Sequence, residues 1–149
     1  MAKFFYRMQN ILDVKSKLEE QAKLDFAIAN RLLNEEEEKL AALKKRKADY
    51  EEAYARLLSE TLKLREIREV EAAIELMKEK IQEQELQVRV AMRKVEAARE
   101  YMQLMMQERK THEKLKEKAF EAFMLEENAK EGKEIDELTS YRYGTKRNE

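Results

Sequence analysis

The chain has 149 residues, no Pro, no Cys, no Trp and two Gly; 42% of it is charged, yet acids and bases cancel to a formal net charge of −1. An ordinary globular domain carries roughly 25% charge, so a broad apolar core is excluded, and the balance offers no global attraction to nucleic acid or to an anionic membrane. The lack of cysteine excludes a disulfide framework and a thiolate metal site, and no apolar run approaches the roughly 18 residues of a membrane span.

Glu, Lys, Ala, Leu, Arg, Met and Gln dominate, and these are the strongest helix formers. Turn residues for a sheet protein are missing. The expected class is all-α, with narrow apolar seams between long helices. The opening MAKFFYRMQNILD is too short in its apolar part for a secretory signal and is interrupted by Arg7, Asn10 and Asp13. The default location is the cytoplasm.

The first element follows from steps of three and four. Phe5, Met8, Leu12, Ala22, Phe26, Ala29, Leu33, Leu40, Leu43, Tyr50, Tyr54, Leu57 and Leu64 keep one heptad phase, with Lys15, Glu19, Glu36 and Lys47 as polar members. A second phase runs through Val70, Ile74, Met77, Ile81, Gln84, Val88, Ala91, Val95, Ala98, Met102 and Met105. It weakens at Arg109, His112 and Lys116 and closes on Ala119 and Phe123. The two phases do not join: Leu64, Ile67 and Val70 are three apart twice, so a step of four is missing. A straight helix, about 200 Å long at 1.5 Å per residue, could absorb this as overwinding.

The matching extents of the two seams favour a reversal instead, with the turn near residues 58–68. Positions whose numbers add to about 124 then face each other along an antiparallel seam. Phe5 is expected near Ala119 and Phe120, Ala29 near Val95, Lys15 near Arg109 and Glu19 near Met105. Ser59 and Thr61 are candidate N-caps for the second helix, without a capping box. The predicted fold is two long helices forming an antiparallel coiled-coil hairpin over residues 1–138. Gly132 is a candidate helix stop. Residues 139–149, TSYRYGTKRNE, read as a flexible C-terminal tail.

Little here carries chemistry. His112 is the sole histidine and stands among Lys and Arg, so it reads as a partly exposed helix residue. The four carboxylates of NEEEEKL, residues 34–40, point around a helix rather than at one ion. No phosphate loop, nucleophile–base pair or metal spacing is present, so no catalytic residue, cofactor or metal is expected. Met102, Met105 and Met106 fit seam filling, though Leu104 and Met106 flank the seam. FFY at residues 4–6 and AFEAFML at residues 119–125 are the most apolar places. They fit a clasp between the chain ends, here expected from Phe5, Phe120 and Phe123, or an insertion surface that includes Met124 and Leu125.

The opening FFYRMQNILDVKSKLEEQAKLDFAIA resembles the start of the flagellar export protein FliJ family. REIREVEAAIELMKEKIQEQE after the junction is similar to that family's second signature, with Val70 and Ala73 where aromatics are usual. KVEAAREYMQLMMQERKTHEKLKEK and KEIDEL follow in the family's order, so the resemblance covers most of residues 4–138. It implies a non-catalytic two-helix stalk of flagellar type III protein export. The implied partners are the hexameric export ATPase FliI with FliH, the membrane export gate FlhA, and export chaperones. It also implies a cytoplasmic location at the inner face of the cell membrane at the flagellar base, without direct insertion. Carried over by position, the gate-binding stripe is Ala73, Met77, Lys80 and Gln84. The expected ATPase-ring contacts are Phe4, Phe5, Tyr6, Arg7, Lys118, Phe123 and Met124. The competing readings are a generic cytoplasmic coiled-coil scaffold or tether, and a membrane-surface helix; interspersed acids and bases disfavour the latter.

Overall fold

A computed structural model describes residues 2–60 and 63–147. The described residues form two helices, α1 (Gln9–Ser59) and α2 (Leu64–Arg147), that pack antiparallel as a coiled-coil hairpin. The chain divides into two compact units. One joins Met1–Glu19 to Leu104–Glu149, and the other is Glu20–Gln103.

In the Glu20–Gln103 unit the order of cross-helix pairs runs opposite on the two helices. Arg99 lies over the Phe26 ring at 5.7 Å, Gln84 bonds to Glu36, and the Tyr54 hydroxyl donates to Glu71 at 3.2 Å. In the other unit Phe4 meets Phe120 and Lys15 pairs with Glu108 at 2.9 Å. Every expected seam position from Leu12 to Leu57 and from Val70 to Phe123 is buried or half-buried. The apolar residues that are properly buried are few: Leu12, Ala22, Ile67, Met77, Ala91, Val95 and Met105. A two-helix seam covers each side chain from one side only, which is why most of its members stay half exposed.

The ends of the seams differ from expectation. α1 starts at Gln9, and residues 2–8 are not helical. Met8 acts as the cap, its carbonyl accepting from the backbone N–H groups of Ile11 and Leu12. The helical period therefore does not apply to Phe5, which is 83% exposed. Phe4 takes the place expected of Phe5. Its ring lies 5.2 Å from Phe120, edge-on at 76°, and 5.4 Å from Phe123. Leu64 is likewise exposed, and Ile67 is the buried residue that opens the second seam.

Ser59 is not an N-cap of α2. Its hydroxyl donates back to the Arg56 carbonyl at 2.9 Å and so serves the end of α1. The candidate cap Thr61 lies outside the described residues. At the start of α2 the Lys63 carbonyl accepts from Ile67, and Glu66 in the first turn complements the helix dipole. Gly132 does not stop α2, which passes through it and on through residues 139–147; no glycine has a positive φ. All side chains from 128 to 144 are exposed.

Candidate partner-binding surfaces

The unit that holds the chain termini contains all seven residues expected to meet an ATPase ring. Phe4 and Phe123 share the aromatic cluster with Phe120. Phe5, Arg7, Lys118 and Met124 are exposed, and Tyr6 is half-buried. A shallow groove of about 390 Å³ lies between Phe4, Leu12 and Phe120 on its apolar side and Glu113, Lys116 and Glu117 on its charged side. Phe120, expected in the clasp, and Leu125, expected with Met124 on an insertion surface, are both exposed here, Leu125 at 71%. The signal in AFEAFML is an apolar run longer than one seam needs, which leaves residues facing outward.

Beneath this surface two charged pairs close the seam. Glu19 is buried, with its side chain 4% exposed, and accepts from the Arg109 guanidinium. Arg109 also meets Glu113 at 2.9 Å. Glu19 first, and Glu113 after it, bind the guanidinium proton more firmly than usual. Lys15 reaches Glu108 rather than facing Arg109. His112 is half-buried, and its Nδ1, like the Tyr6 hydroxyl, is buried with no hydrogen-bond partner among the described residues.

The stripe expected to bind the gate is placed differently. Met77 is 2% exposed and packs in the seam. Gln84 is half-buried and donates both to the Glu36 carbonyl, at 2.9 Å, and to its carboxylate. That amide is the main reason the Glu36 carboxyl is held below its ordinary 4.5; partial desolvation opposes the shift and Lys39 adds to it. Ala73 is half-buried and Lys80 is exposed. Steps of four, three and four put the four residues on one stripe, but Met77 and Gln84 face α1 from it while Lys80 reaches solvent. Leu76, next to Met77, is the large apolar side chain that reaches solvent, at 47% exposure.

Elsewhere, Tyr54 is held above its ordinary 10.0 by the bond to Glu71. Of the four carboxylates at residues 35–38, Glu36 alone turns inward and the others are exposed. Among the described residues no group of acidic or histidine side chains could hold a metal ion. No described helix is long and apolar enough to cross a membrane.

The chain matches the family described as flagellar FliJ protein over residues 4–148. Among solved structures, a putative YscO homolog from Chlamydia trachomatis has a similar fold, with a TM-score of 0.67 and 20% identity, covering 99% of each chain. A comparison with curated proteins finds no match.

Proposed function

The chain belongs to the flagellar FliJ family and is a component of flagellar type III protein export; on that premise we propose that it is a non-catalytic stalk coupling the export ATPase to the export gate. The observation that carries this reading is the family match over nearly the whole chain, residues 4–148. Among the described residues the grooves of each unit lie open to solvent, whereas catalysis favours a site from which water is shut out. What the hairpin offers instead is many weak, exchangeable contacts of the kind a component moving within a ring requires.

In this reading the ATPase FliI, with FliH, meets the unit that holds the termini, through Phe5, Arg7, Lys118 and Met124. Phe4, Tyr6 and Phe123 hold that surface in place. The gate FlhA meets the other unit at Lys80, beside exposed Leu76. Met77, Gln84 and Ala73 act from the seam by fixing the helix that presents them. Export chaperones are further partners. Residues 1–138 form the working hairpin, and 139–149 form a C-terminal tail outside it. The protein acts in the cytoplasm at the inner face of the cell membrane, held there by its partners.

The experiment is a reconstitution. The purified chain, which should hydrolyse no ATP alone, is added to the purified export ATPase. Binding with a rise in ATP turnover supports the stalk. No binding, with the chain folded, overturns it and leaves a scaffold or tether as the better reading.

A further inference from the structure

Within the Glu20–Gln103 unit, a groove of about 370 Å³ runs between the helices on one side of the seam. Ile28 and Leu32 of α1 and Val90 of α2 form its apolar lining, and Ile28 and Leu32 are each more than two-fifths exposed. This is more apolar surface than the hairpin's own seam uses, since all three stand one position before a seam residue: Ala29, Leu33 and Ala91. In an antiparallel pair such flanking positions from the two helices share a side. The walls carry opposite charge, with Asp25 as the acid on the α1 side because the Glu36 carboxylate is already held by Gln84 and Lys39. Asp25 and Glu36 line the α1 side, and Lys94 with neutral Gln87 lines the α2 side.

We infer that this groove is a self-association surface, and that its occupant is a second copy of the same unit. Charge complementarity under symmetry selects this occupant. Two equal faces can meet around a two-fold axis lying in the plane of contact. If the axis crosses the helices, α1 lies on α1 and α2 on α2. Acidic wall then meets acidic wall, and Lys94 meets the α2 wall of the other copy, which bears its own Lys94. If the axis runs along the helices, α1 of each copy lies on α2 of the other. Each acidic wall then meets a basic one, and Leu32 of one copy sits by Val90 of the other. The second arrangement buries the same apolar residues without like-charge opposition, which would be costly at a desolvated contact. The product is a four-helix bundle over this unit. This inference does not rest on the export reading.

The chain has no cysteine, so introduced thiols report on this contact alone. Sedimentation equilibrium of the full chain should give a monomer–dimer equilibrium. Asp25→Lys and Lys94→Asp should each weaken dimerisation by about tenfold, roughly 1.4 kcal/mol. The double exchange should recover most of that loss. Helicity should remain unchanged, because neither residue lies in the seam. Oxidising a mixture of Leu32→Cys and Val90→Cys chains should yield the mixed disulfide in preference to either like pair. A chain that stays monomeric up to about 500 µM overturns the inference. So does a double exchange no better than the single variants, or a predominance of like-paired disulfides.

Discussion

At the scale of single residues, the chain start shows how one shifted helix boundary reassigns a contact. A helix running back through residue 5 would have placed Phe5 on the seam. Because α1 begins at Gln9, Phe4 packs on Phe120 and Phe123 while Phe5 faces solvent. Phe4→Ala should therefore destabilise by about 1–3 kcal/mol, less than full burial would give. Phe5→Ala should stay within about 0.5 kcal/mol, as exposed substitutions do. Thermal melts of both variants decide the matter, and equal losses would contradict the packing. Glu36 makes a second case, in pH. Its folded-state pKa lies below its ordinary 4.5, chiefly through Gln84. The stabilisation is thus fully present above 4.5 and is lost as the pH falls through the folded-state value. Gln84→Ala should lower the melting temperature at neutral pH, and the gap from the parent should narrow only as the pH falls below about 4.5. A gap that stays constant would show that the amide–carboxylate bond is not its source.

At the scale of elements, the heptad phases were legible because burial in a two-helix seam is a periodic property. The missing step between Leu64 and Val70 pointed to a break for the same reason, and the break lies just before that step, with α1 ending at Ser59 and α2 beginning at Leu64. What periodicity does not encode is which charges meet. Lys15, Glu19 and Arg109 all sit on the seam, and a facing rule good to about one turn pairs Lys15 with Arg109. Long side chains reach along the seam, so Glu19 takes Arg109 and Lys15 takes Glu108. The expected gate stripe was carried over from the family resemblance, and its steps of four and three are also those of a seam, which is why Met77 is buried and Ala73 and Gln84 are half-buried while Lys80 stays exposed. Gly132 was misread because a glycine stops a helix only where the chain takes up a left-handed conformation, and here it does not. A side chain at Gly132 would meet nothing within 4 Å. Gly132→Ala should therefore stabilise the local helix by about 0.5–1 kcal/mol. The readouts are stronger helical circular dichroism and slower amide exchange over residues 128–140. Faster exchange there would mean that the glycine conformation is required.

At the scale of the whole molecule, the two units carry different surfaces, and the proposed function requires that they act on different partners. Charge reversal of Arg7 and Lys118 should weaken stimulation of the export ATPase and leave gate binding intact. Lys80→Glu combined with Leu76→Ser should do the reverse. Met77 is unsuitable for this test, because a side chain 2% exposed would lose seam packing on substitution, and a fall in binding could not be separated from a fall in folding. Each exposed charge contributes about 0.2–1 kcal/mol, so a single reversal changes affinity by only a few-fold and the variants must be combined. Helicity and melting temperature serve as the controls, since all four residues are exposed. If both combinations remain folded and each loses one activity alone, the two partners are held through separate units. If either combination loses both activities together, one surface serves both partners. Coupling would then arise from competition for that surface rather than from a stalk bridging two machines.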